Sequence, residues 1–251
     1  MPYTLVHPGF VLPFKKWKKD WFSNEALIIG SFVPDFDIIF RFTENRFHLY
    51  TYTFINTIAV IFPISILSYL FYMSVLKKTV DYIFFNNKNR GRIRPYLLIN
   101  SKILLSLILS ISLHILLDAI THPNVYETTV WINEHLDIPL SATFADTVIL
   151  YGPLIISSLI GATLLLYFFI KENTHPALVI KNWFTGNKIY YWILFLLVTV
   201  MFFLLKLKLN GIEQGFRMDS VLLFSLTGIF YGFILATFLF PFIFKTSALE
   251  N

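Results

Sequence analysis

The residues best suited to chemistry in this chain stand in one run, His114-Ile-Leu-Leu-Asp118-Ala-Ile-Thr-His122-Pro123. Spacing of four and four puts the three polar side chains on one helical stripe that drifts by about 40° per step. The stripe closes a long apolar stretch, where imidazole and carboxylate are costly unless they face protein, water or an ion. Imidazole with carboxylate is the donor mixture that suits zinc and related divalent metals. His114 and Asp118, deeper in the helix, read as ligands. His122, beside the Pro123 that ends the helix, serves equally as a cap.

A second run is Gly30-Ser-Phe-Val-Pro34-Asp35-Phe-Asp37. Asp35 and Asp37 follow a proline that halts an apolar helix, so both can turn toward one cation. Taken alone, an ordinary exposed turn is the simpler reading. His7, in Leu-Val-His-Pro-Gly, and His48 are isolated histidines of the kind usually incidental near a membrane surface. Together the pieces gain weight, because four of only six histidines (7, 48, 114 and 122) fall near expected interfaces or helix ends. His135 and His175 read as loop residues.

The order of these motifs resembles a known family. The opening Met-Pro-Tyr-Thr-Leu-Val-His-Pro, a Val-Leu-Pro soon after, Gly-Ser-x-x-Pro-Asp-x-Asp, a lone His and then His-x-x-x-Asp-x-x-x-His look like the bacterial membrane proteins classed as domain of unknown function 4184. These are similar to membrane-bound metal-dependent hydrolases. More distantly, the His-x-x-x-Asp-x-x-x-His helix is similar to the zinc-dependent phospholipase C and single-strand nuclease fold, whose helix-borne His and Asp residues hold zinc ions. The resemblance covers chiefly residues 1–50 and 100–123. It implies a divalent metal, zinc above all, held by His7, Asp35, His48, His114 and Asp118, with His122 beside them. Asp37 would be the catalytic base or would orient a ligand imidazole. The implied protein is a hydrolase of a bacterial cytoplasmic membrane, acting on a phosphoester or lipid-like substrate.

The elements that must position these residues are membrane helices. The chain has 251 residues, 56% hydrophobic and 14% charged, with a mean hydropathy of +0.67; a soluble domain would carry about a quarter charged residues. Four stretches approach the roughly 20 apolar residues needed to cross a bilayer: Tyr52–Leu76, Tyr96–Thr121, Thr147–Ile170 and Val221–Phe244. A fifth, Tyr190–Leu205, reaches that length if Lys206 and Lys208 snorkel to the interface. Backbone groups in lipid must be satisfied internally, so these are helices, with kinks or fraying expected at Pro63 and Pro241. Ala26–Phe40 is short and broken at Pro34, which suggests a re-entrant helix. Val11–Trp21, rich in Lys and Trp, suggests an interfacial segment. The expected architecture is an all-α polytopic transmembrane bundle forming one integral membrane domain over 1–251. Residues 1–51 would carry part of the site and 52–251 the bundle, with five spans plus the re-entrant segment, or six full spans.

Charge orients the helices. The loop Lys77–Pro95 is strongly basic, while His122–Asp146 holds no Lys or Arg, so the first is expected in the cytoplasm and the site on the non-cytoplasmic side. With five spans, Lys15, Lys16, Lys18 and Lys19 would fall outside, against the rule. The basic residues flank apolar spans, so lipid rather than nucleic acid is the expected partner. No cysteine is present, which excludes thiolate ligation. Gly-x-Ser-x-Gly, Gly-Lys phosphate loops and His-Glu-x-x-His are likewise missing. Residues 1–19 lack the pattern of a removable signal peptide. The alternative function is a non-enzymatic carrier or assembly factor whose polar cluster binds an ion or holds helices together. The near-absence of charge in the later spans weighs against a carrier.

Overall fold

The computed structural model describes residues 6–17, 20–36, 57–85, 99–121, 144–172, 176–210 and 218–244. Among them there is no strand. The helices are α1 (His7–Trp17), α2 (Asn24–Phe32, running into a 3-10 turn, Val33–Asp35), α3 (57–85), α4 (Ser101–Thr121), α5 (Phe144–Glu172), α6 (Pro176–Trp183), α7 (Lys188–Asn210) and α8 (Met218–Ile243). Four segments of described residues are long and apolar enough to cross a membrane: Thr57–Phe84, Ser101–Asp118, Lys188–Leu209 and Phe224–Ile243. The expected span Thr147–Ile170 falls within α5, whose described apolar stretch, Ile156–Lys171, is shorter than these four.

The chain divides into two compact units, one from Tyr3–Pro34 and Ser101–Phe168, the other chiefly from Asp35–Asn100 and Phe169–Asn251. In the first, α1 and α2 form a hairpin against α4 and α5. Gly9 of α1 meets Gly161 of α5 so closely that a Cβ on Gly9 would fall on the Gly161 carbonyl, and one on Gly161 would lie 2.7 Å from the Val6 carbonyl oxygen. Seven residues further along each helix, Lys16 Nζ stands 4.7 Å from the Phe168 ring centroid. α1 and α5 therefore run parallel. At the far end of α1 the Ser23 N–H donates to Ser106 Oγ at 2.8 Å, so α2 starts beside the first turns of α4 and runs parallel to it. Ser23 also caps α2, its hydroxyl accepting from the Ala26 N–H at 3.4 Å, as expected of serine at this position. The break expected at Pro34 is present: α2 gives way there to the 3-10 turn.

α1 begins at His7, and Pro8, Gly9 and Val11 are buried, because the Gly9–Gly161 contact draws this part of the helix in, while Lys16, Asp20 and Trp21 are exposed. Lys16 lies level with Phe168 near the end of α5, whereas His7 begins α1. Lys16 thus shares its end of the unit with the start of α4.

In the second unit α3 runs on past Lys77, where a loop was expected. Its π-helical turns (Thr57–Ile61, Tyr72–Leu76 and Asp81–Phe85) alternate with α-helical ones, and Pro63 sits directly after the first π turn, whose looser register absorbs the missing N–H. Lys77 and Asp81 pair at 3.9 Å one turn apart, and Thr79, Val80 and Ile83 are buried, which extends the helix beyond the apolar run. Its terminal carbonyls are then capped from the α6–α7 corner. Lys188 Nζ donates to the Ile83 carbonyl at 3.1 Å and Trp183 Nε1 to the Phe84 carbonyl at 2.9 Å. α7 and α8 pair antiparallel, linked by Tyr191 Oη and Thr237 Oγ1 at 3.1 Å. Lys206 does not snorkel. It is 1% exposed, its ammonium donating to Thr227 Oγ1 at 2.9 Å beneath the Phe224 ring, while Lys208 is exposed as expected.

Candidate metal centre

The first unit brings together three of the residues singled out from the sequence: His7, His114 and Asp118, whose donor atoms lie within 4.8 Å of one another. His114 and Asp118 share a face of α4 because they are four apart, and His7 reaches them from the first turn of α1. Both α4 residues are buried, His114 at 1% and Asp118 at 4% exposure. His7 is the most accessible of the three, at 11%.

The hydrogen bonds orient His114. Its Nδ1 lies 2.7 Å from the Ser31 carbonyl oxygen, which only accepts, so the proton belongs on Nδ1 and the lone pair on Nε2. That Nε2 lies 3.3 Å from Asp118 Oδ2. Two metal bonds of about 2.0 Å meeting at a tetrahedral angle span about 3.3 Å, so these two atoms already stand at the separation joint ligation requires. A backbone carbonyl fixing the tautomer of a ligating imidazole is the usual support for such a site.

His7 completes the group less tightly. Its ring meets that of His114 edge-on, centroids 4.2 Å apart, with the two Nδ1 atoms 2.8 Å apart. Since His114 Nδ1 carries the proton, His7 Nδ1 accepts and its Nε2–H faces Asp118 Oδ1 at 4.0 Å. To ligate, His7 must turn its ring or exchange its tautomer, so it is the adjustable member.

Gly30 and Ser31 explain why α2 carries their motif. A Cβ on Gly30 would strike Ser110 Oγ and lie 3.2 Å from the Leu107 carbonyl oxygen; without one, α2 comes close enough to α4 to present the Ser31 carbonyl to His114. Pro34 has no N–H to offer that carbonyl from three residues on. Ser110 keeps its own hydroxyl on α4, donating to the Ser106 carbonyl at 2.7 Å. The backbone role of Ser31 went unread in the sequence. Its only sign is the Gly-Ser pair four residues before a helix-breaking Pro-Asp.

Asp35 is buried at the end of the 3-10 turn and belongs to the second unit. Asp37, His48 and His122 lie outside the described residues, as do His135 and His175. No curated protein and no solved structure matches the chain. A family profile does, over residues 1–242, nearly the whole length. The chain belongs to the family described as domain of unknown function 4184.

Proposed function

We propose that this protein is a membrane-embedded, metal-dependent hydrolase acting on a phosphoester or lipid-like substrate. The observation that carries the reading is the meeting of His7, His114 and Asp118 from two helices, with His114 oriented by a third. Zinc or a similar ion held there would supply Lewis-acid activation of water and of a phosphoryl or acyl oxygen. The chain's own residues hold the donors in place: the Ser31 carbonyl keeps the proton on His114 Nδ1, and Asp118 supplies negative charge in a nearly dry setting. Asp37 remains the proposed base, with His48 and His122 as further ligands on the family's pattern.

In this reading α3, α4, α5, α7 and α8 cross a bacterial cytoplasmic membrane, and the α1–α2 hairpin goes only part way. With Lys16 and Lys102 at one end of the first unit, the positive-inside rule favours that end facing the cytoplasm. His114 lies 12 residues beyond Lys102, about 18 Å along α4, which supports a site in the non-cytoplasmic half of the bilayer. Water-soluble substrates are a poor fit at that depth, which favours an amphiphile.

The test is hydrolysis by zinc-loaded protein, reconstituted in vesicles, of phosphodiester and carboxyl-ester lipids. Turnover should vanish in His114→Ala and Asp118→Ala while both variants still insert. Ion binding without turnover of either class would favour the non-enzymatic alternative.

A further inference from the structure

We propose that α6 and the turn after it form an interfacial foot, a surface that seats in the boundary between lipid headgroups and acyl chains. α6 has eight residues, Pro176–Trp183, far short of the roughly 20 that a span needs. It does not project into water either. The ring centroid of Trp183, its last residue, lies 5.8 Å from that of Phe169, one turn before the end of α5. A helix continuing outward from α5 would put these two residues, 14 positions apart, about 21 Å from each other. α6 is therefore folded back to the level of the span ends.

The corner is held there from inside the protein, by the bonds of Trp183 and Lys188 to the last carbonyls of α3 and by Trp192 Nε1, which donates to the Trp183 carbonyl at 2.7 Å. Phe184 lies against the Trp192 ring, centroids 5.3 Å apart and planes at 28°. Trp192 stands four residues beyond Lys188, where the span Lys188–Leu209 begins, so the Phe184 ring sits about 6 Å inside that span. Yet Phe184 is 54% exposed. Ile180 on α6 is exposed too, as are Ile189, Ile193 and Leu196 on α7, so the apolar surface of the corner continues into the face that the span turns to lipid. The polar groups fit the same boundary. Lys181, Thr185 and Asn187 are exposed, and among the described side chains of 169–171 and 180–192 there is no Asp or Glu. A lysine can lay its stem on apolar surface here and keep its ammonium among headgroups. A soluble protein partner would reach only the edge of a surface otherwise sunk in lipid. The assignment rests on the membrane spans and is independent of the metal centre.

The experiment uses the full-length protein in phosphatidylcholine–phosphatidylglycerol vesicles, with a spin label on one introduced cysteine at a time; the native chain has none. Relaxation by oxygen, which concentrates in lipid, and by a nickel chelate, which stays in water, reads the depth of each label. Labels at Ile180→Cys and Phe184→Cys should lie about 5–10 Å into the headgroup boundary, deeper than at Asn187→Cys and shallower than at Leu196→Cys. Nickel accessibility at 180 and 184 equal to that at 187 would overturn the proposal, because the face would then be open to water. Shielding of both labels from both reagents would overturn it as well, because protein would then cover the face. If Phe184→Cys fails to insert, Ile180→Cys decides alone by the same two criteria.

Discussion

Replacing Gly30 with alanine adds one methyl group at a residue that supplies no donor to the proposed metal centre, yet should weaken that centre. The new Cβ would strike Ser110 Oγ and lie 3.2 and 3.3 Å from backbone atoms of Leu107. Ser110 yields poorly, because its hydroxyl is held by the Ser106 carbonyl at 2.7 Å and the Leu107 carbonyl at 3.1 Å. α2 must back away from α4, carrying the Ser31 carbonyl off His114 Nδ1. Overpacking of this kind costs about 1–3 kcal/mol, but alanine returns about 1 kcal/mol over glycine in a helix. Global stability is therefore a blunt readout. Metal affinity is a sharper one, since losing the partner that orients a ligating imidazole typically costs 10–100-fold. Competition for zinc against a chelator, with protein in detergent, should show a loss of about that size in Gly30→Ala. Adding Ser110→Ala removes the worst contact and should restore most of the affinity. Native affinity in Gly30→Ala, or no recovery in the double variant, would refute the claim that the α2–α4 approach sets His114.

Further expectations follow from buried contacts away from the site. Thr227→Val removes the acceptor 2.9 Å from the buried Lys206 ammonium and should cost about 1–3 kcal/mol in denaturant unfolding. Lys206→Met, similar in volume and uncharged, should be neutral or stabilising; a large loss there would show that the charge itself holds α7 to α8. Gly9→Ala places a methyl on the Gly161 backbone, which cannot rotate aside as a side chain can. It should lower the melting temperature by more than Gly30→Ala does. An equal or smaller drop would mean that the α1–α5 contact relaxes easily.

The readability of this sequence followed its periodicities. The 4-4 spacing of His114, Asp118 and His122 placed two members of the described cluster on one face of α4, and apolar run length found the long helices. Helix ends were harder. α3 outlasts its apolar run because Lys77 and Asp81 pair and Thr79 to Ile83 find a buried face, neither of which hydropathy measures. α6 is only eight residues long and carries no length signal. Lys206 read as an interfacial residue because a hydroxyl one helix away, Thr227, is invisible to a linear scan. His7 entered through a motif resemblance, since nothing local marks a lone histidine 107 positions from its partner. The Ser31 carbonyl was illegible for a plainer reason: backbone acceptors are the same at every residue, and only the Gly30 approach selects this one.

The most direct test of the central claim is the metal content of the purified protein, by plasma mass spectrometry beside protein quantitation, in the native chain and in Asp118→Asn and His114→Ala. About one or more zinc or similar divalent ions per chain is predicted in the native protein, as a site of two imidazoles and a carboxylate requires. The ion should be lost in both variants although they insert and keep their helicity. A native protein without a stoichiometric ion, or variants that hold it equally well, would contradict a metal centre built on His7, His114 and Asp118.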